Sequence, residues 1–177
     1  RFMSNHSNNF LCQTFLAVFL SGLMHTPLHA QITPSAADMV EQLKTQPPRT
    51  RSLRNLTIES SAPEAKPSLS LLIQFDFNSA RVKPESQQAL TNLAQALQSK
   101  ELVEAKFAVE GHTDAKGRAD YNLKLSQQRA DAVRAFLASN GVQDSRLAAV
   151  GKGATELANA ADPQGAENRR VRIVNLN

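Results

Sequence analysis

The chain has 177 residues, with 20 Lys and Arg against 16 Asp and Glu for a net charge of +4, one Tyr and no Trp. So mild a positive balance, with so little aromatic surface for base stacking, argues against a nucleic-acid partner. The length fits one ordinary domain with residues to spare.

The surplus lies at the N-terminus. Phe10 to Leu23 form an apolar, uncharged run, preceded by Arg1 and followed by Leu28-His29-Ala30, the pattern of a secretory signal peptide over residues 1–30. Gln13, Ser21 and Gly22 interrupt the run, and it falls short of the roughly 20 apolar residues a membrane span needs. Cleavage after Ala30 is therefore expected, and contact with a membrane only if the leader is retained. Cys12 sits at the start of the apolar core rather than after it, which argues against lipid attachment. It is the only cysteine, so the chain after Ala30 can form no disulfide and must hold by packing. Removing residues 1–30 takes away one cation, Arg1, and leaves the balance at +3.

Residues 31–67 carry five of the eight prolines, at Pro34, Pro47, Pro48, Pro63 and Pro67. That spacing argues against a packed core and predicts a tether. One short helix is predicted within it from Ser35 to Lys44, where Ser35 can cap and Met39, Val40 and Leu43 repeat at helical spacing. A short strand is expected at Leu56 to Ile58. The cluster Arg49, Arg51 and Arg54 reads as a solvated linker.

A domain is expected over residues 68–177. Leu69, Leu71, Ile73, Phe75 and Phe77 alternate with Ser68, Ser70, Leu72, Gln74 and Asp76, the period-two pattern of a strand with one buried face. Pro84 suits the first turn of a helix whose apolar stripe is Leu90, Leu93, Ala94 and Leu97. A second strand is predicted over Ala105 to Glu110, ending at Gly111. The second helix is predicted to open near Ser126, placing Arg129 on its first turn, and to stop at Asn140-Gly141. Arg146 to Val150 reads as a third strand, Gly151 to Gly165 as a loop, and Arg170 to Leu176 as the closing strand. The order βαβαββ, with a long loop before the last strand, predicts an α+β fold with helices on one face of a small mixed sheet.

Two charges stand out at the centre of this pattern. Asp114 falls in a loop just past a strand end, where ligand contacts concentrate; the alternative is a turn aspartate bonded to its own backbone. Arg129, near a helix start, gains if an anion is bound there; the alternative is a surface arginine paired with Asp131 or Glu110. One anion and one cation facing one pocket would suit a zwitterion. His112 lacks the companions a zinc site requires, because His6, His25 and His29 all lie in the leader, so no metal or cofactor is expected. No Ser-His-Asp or Cys-His arrangement and no paired carboxylates are visible, and the chain is not expected to be an enzyme.

Several separated motifs resemble, in order and spacing, the OmpA-like peptidoglycan-binding domain. They are Phe75-Asp76-Phe77-Asn78-Ser79, Gly111-His112-Thr113-Asp114, Tyr121-Asn122, Leu125 to Ala130 with Val133, Gly141-Val142, and Asn168-Arg169-Arg170-Val171. The resemblance implies noncovalent binding of peptidoglycan through the diaminopimelate of its stem peptide. It assigns the ligand ammonium to Asp114, the ligand carboxylate to Arg129, and supporting contacts to Asn78, Thr113, Asn122 and Arg169. Lysine in place of diaminopimelate would leave Arg129 without its carboxylate, a route to specificity. The implied setting is a Gram-negative periplasm, wall-associated and near the outer membrane. The alternative is a periplasmic scaffold or assembly protein that meets an envelope protein through residues 31–67.

Overall fold

A computed structural model of the chain describes residues 33–44, 66–76 and 78–177. The expected leader, the strand at Leu56 to Ile58, the arginines at 49 to 54 and Phe77 lie outside the described residues. None of the described helices is long and apolar enough to cross a membrane.

The elements run α1 (Ala36–Leu43), β1 (Ser68–Leu71), α2 (Pro84–Leu97), β2 (Phe107–His112), α3 (Ala119–Ser139), β3 (Leu147–Gly153) and β4 (Val171–Asn175). The sheet order is β1-β4-β2-β3. Strand β4 is antiparallel to both β1 and β2, and β2 is parallel to β3. This is the expected mixed α+β architecture. The two last strands are not neighbours, because β4 inserts between β1 and β2.

One face of the sheet is the core. Leu69, Leu71, Phe107, Val109, Leu147, Val171 and Ile173 are buried with Leu90, Leu93 and Leu97 of α2 and Val133 and Leu137 of α3. The register places Val109 beside Ile173 and Ala149, and Phe107 beside Leu147, so the alternation of each strand feeds a single apolar layer. The opposite face carries the exposed Ser68, Ser70 and Ala148 together with Glu110 and Arg172.

Helix α1 corrects the tether reading. Ser35 caps it in a capping box with Asp38, but Met39 and Leu43 are fully buried in the core. Asn92 Nδ2 donates to Pro34 O at 3.0 Å and Asn175 Nδ2 to Leu43 O at 2.9 Å. The boundary expected at Ser68 therefore does not hold for this segment: three closely spaced apolar residues outweigh one proline upstream.

Strand β1 is shorter than its alternation predicts. Beyond Leu71, Gln74 N donates to Ser86 Oγ at 2.8 Å rather than to a strand. Phe75 bridges Val82, and with Lys83 N on Gln74 O at 2.9 Å and Asp76 N on Arg81 O at 3.0 Å residues 74–76 pair with 81–83 in a small hairpin. At its tip Asn78 takes φ 52°, a left-handed conformation that asparagine tolerates better than most side chains.

The largest correction concerns α3. It opens at Ala119, with Arg118 as its N-cap, so Arg129 lies mid-helix rather than on the first turn. The first two turns are solvated, with Tyr121, Leu123 and Lys124 exposed, and polar residues there hide the helix from a periodicity reading. Ser126 is not a cap; its Oγ donates to Leu123 O and accepts from Gly153 N, each at 2.8 Å. The stop at Asn140-Gly141 is as expected. Gly141 is left-handed, and Gly141 N and Val142 N bond back to Ala138 O and Leu137 O, the Schellman arrangement.

Gly111 and Gly151 lie inside strands and opposite each other, rather than at a strand end and in a loop. A Cβ on Gly111 would stand 2.2 Å from Ser126 O, and one on Gly151 2.6 Å from Gln127 N. The glycine pair lets α3 rest directly on the sheet. Gln127 then reaches round the edge of β3, donating to Ala149 O at 3.3 Å and accepting from Gly151 N at 2.7 Å. Its carboxamide occupies edge groups that would otherwise be open to another strand.

Candidate functional site

Asp114 follows the end of β2, where the β2–β3 register shifts between Gly111 and His112. Such a bulge re-aims the chain beyond it. Thr113 N donates to Gly153 O at 2.9 Å and Ala115 N to Pro163 O at 2.8 Å, clamping the loop between two neighbours. Asn122 on α3 spends both amide hydrogens on it, reaching Asp114 O at 3.2 Å and Lys116 O at 3.0 Å. The Asp114 side chain is consequently only 15% exposed.

The Asp114 carboxylate makes a turn bond and an ion pair together. Oδ1 accepts from Lys116 N two residues on, at 3.1 Å, an Asx-type turn. Oδ2 accepts from Arg169 Nη1 at 2.7 Å. Arg169 is 47% exposed and follows a 3₁₀ turn over Ala166–Asn168. The fully buried Asn168 holds that segment, donating to Asn159 O and Asp162 O and accepting from Asn159 N at 2.9 Å.

Arg129 comes from the middle of α3 and pairs with neither Asp131 nor Glu110. Its Nε donates to Ser79 O at 3.2 Å and its guanidinium lies 4.8 Å over the Phe75 ring. Among the described residues neither terminal nitrogen has a hydrogen-bond partner. Burial lowers the Arg129 pKa most, the charge of Arg169 lowers it further, and Tyr121 and Asp114 oppose them. A cation destabilised by partial desolvation and by a like charge gains from an incoming anion.

The structure therefore gathers Asp114, Arg129 and Arg169 into one field of interacting charges, with Asn122 and Thr113 shaping the loop. Asn78 is exposed at the tip of the hairpin whose Ser79 holds Arg129. The sequence does not single out Phe75 or Ser79 as site residues, because Phe75 fits the core alternation and a backbone carbonyl has no sequence signature. Thr113 Oγ1 is buried without a partner among the described residues.

His112 is 1% exposed, and burial pushes its pKa down to about 4, with Arg170 next in effect. Its nearest carboxylate is Glu110, Nε2 to Oε2 at 3.8 Å. Among the described residues no three His, Cys, Asp or Glu are placed to hold a metal.

Helices layered on one face of a four-stranded mixed sheet, with charged loops clustered at the end of β2, define an OmpA-like α+β domain. The chain belongs to the OmpA family, whose model matches residues 74–171. It is 42% identical over 103 residues to the probable lipoprotein YiaD of Escherichia coli, covering 57% of this chain and 46% of that protein. It is 41% identical over 81 residues to the peptidoglycan-associated lipoprotein of Brucella melitensis, covering 46% of this chain and 47% of that one. The crystal structure of the peptidoglycan-associated lipoprotein from Burkholderia pseudomallei superposes with a TM-score of 0.50 at 35% identity, covering 60% of this chain and 88% of that one. The chain spans about half the length of the two curated relatives named here.

Proposed function

We propose that this domain binds peptidoglycan noncovalently through the diaminopimelate of the stem peptide, anchoring an exported protein to the cell wall. The observation that carries the reading is the clamped carboxylate of Asp114 within electrostatic reach of Arg129, an arginine whose terminal donors have no partner among the described residues. Asp114 receives the ligand ammonium, and Arg129 receives its carboxylate as a bidentate fork. Arg169 holds Asp114 before the ligand arrives. Asn78, Thr113 and Asn122 shape the rim. The names of relatives, two of them peptidoglycan-associated lipoproteins, support peptidoglycan as the ligand. No catalytic step is assigned to these residues. The setting we propose is the periplasm, against the wall.

Calorimetry with a purified diaminopimelate-type muropeptide tests this. Binding is expected to weaken strongly in Asp114→Ala and in Arg129→Ala; unchanged affinity in both would refute the reading. The rival scaffold reading, through residues 31–67, is separated by a deletion limited to residues 45–65. Deleting the whole segment would strip Met39 and Leu43 from the core. Wall binding survives the limited deletion if the site is the one proposed.

A further inference from the structure

Among the described residues, the buried side-chain polar atoms without a partner are concentrated in one place. Apart from Ser99 Oγ they are Glu110 Oε2, His112 Nδ1 and Nε2, Thr113 Oγ1 and Arg170 Nη1. Buried polar atoms are rarely left unpaired, and each such case calls for a physical cause.

Glu110 and His112, two residues apart on β2, share the face away from the helices. Glu110 stands opposite Arg172 in the register, and His112 N donates to Arg170 O at 3.0 Å, which puts His112 opposite Arg170. Arg170 uses Nη2 on Glu156 O at 3.1 Å. Lys152 reaches Glu110 Oε1 at 3.6 Å and Arg172 reaches Oε2 at 3.7 Å, both too long for good hydrogen bonds. The unpaired atoms differ in chemistry. Arg170 Nη1 can only donate, the Glu110 carboxylate can only accept, and neutral His112 does one of each.

An anion placed among them meets Glu110 and Glu156, and a cation meets Arg170, Arg172 and Lys152. A molecule that both donates and accepts fits all three. We propose that Glu110, His112 and Arg170 enclose a site for one internal water molecule. It accepts from Arg170 Nη1 and bonds to His112 and Glu110, matching the roughly three hydrogen bonds buried waters make. The depressed pKa of His112, about 4, keeps the ring neutral and so leaves it an acceptor. The position gives the water a role. His112 leads through Thr113 into Asp114, and Arg170 follows Arg169, so the water ties together the two chain segments that carry the Asp114–Arg169 pair. Arg170 and His112 are positioning residues for that pair.

Crystals of the full chain diffracting well enough to show ordered solvent test the site directly. Expected is a water within hydrogen-bond distance of Arg170 Nη1 and of Glu110 Oε2 or a His112 ring nitrogen. A dry space, an ion in its place, or Arg170 Nη1 bonded directly to protein overturns the proposal. In solution, oxygen-17 relaxation dispersion counts long-lived internal waters. The parent is expected to hold one more than His112→Phe, and equal counts overturn the role of His112. Both experiments are read without muropeptide, so their failure would leave the proposed function standing.

Discussion

Arg146 and Arg129 each lie over a phenylalanine ring, Arg146 at 5.7 Å from Phe107 and Arg129 at 4.8 Å from Phe75, and burial lowers the pKa of both. Arg146 spends its donors on backbone. Nε donates to Ala105 O at 2.9 Å, and Nη2 to Leu97 O at 2.9 Å and Leu102 O at 2.6 Å. Leu97 ends α2, so this cation satisfies carbonyls that a helix terminus leaves open. Arg129 makes one such bond and keeps its fork free among the described residues. The same residue type is thus a bolt in one place and a poised receptor in the other, and the number of donors already used separates the two roles.

Breaking the bolt gives the largest expected effect on stability. Arg146→Met removes the side-chain donor from three carbonyls, of which Leu102 O keeps Ala105 N, and should cost roughly 3 kcal/mol, read as a lower denaturant midpoint. Arg146→Lys should recover only part of it, since one ammonium cannot copy the fork. Muropeptide affinity of the folded protein should not change.

Breaking the receptor gives the opposite pattern. Arg129→Ala should weaken muropeptide binding by about 3 kcal/mol, near 100-fold, as expected for truncating one side of a desolvated charge pair. Its chemical unfolding should shift by less than about 1 kcal/mol.

Acid separates both arginines from a third buried group. They stay charged throughout, whereas His112 is held neutral with a pKa depressed from 6.5 to about 4. The unfolded chain binds this proton first. Stability from His112 is therefore complete above pH 6.5 and lost as pH falls toward about 4, by roughly 2 kcal/mol at pH 4.5. Unfolding of the parent and of His112→Gln between pH 6.5 and 4.5 checks it; parallel curves would contradict the assignment.

The smallest effect sharpens the comparison. Phe75→Leu keeps the apolar support of Arg129 but removes the ring face, worth about 0.5–1 kcal/mol for a partly exposed pair. Calorimetry should find affinity lowered by a factor of about 2 to 5.

The difference between the two arginines also marks how far the sequence can be read. Arg129 was visible because it sits in a run of spaced motifs with Asp114. Arg146 reads from the sequence only as the first residue of a strand, because its partners lie 41 to 49 residues away and are backbone carbonyls. Local signals such as Pro84, Asn140-Gly141 and the Leu69-Leu71 alternation gave elements that the structure keeps. The start of α3 is hidden from the sequence because its solvated turns lack an apolar stripe, and Ser126 has the look of a cap while serving Gly153. The pairing of Asp114 with Arg169 joins residues 55 apart; the resemblance put both in the site, but not in contact.

The most direct measurement compares muropeptides carrying diaminopimelate with those carrying lysine, titrated into the parent and into Arg129→Ala. If the free fork of Arg129 reads the extra carboxylate, the parent prefers the diaminopimelate ligand at least tenfold, about 1.4 kcal/mol, and Arg129→Ala binds both alike. A parent without preference, or an Arg129→Ala variant that keeps it, would contradict the account.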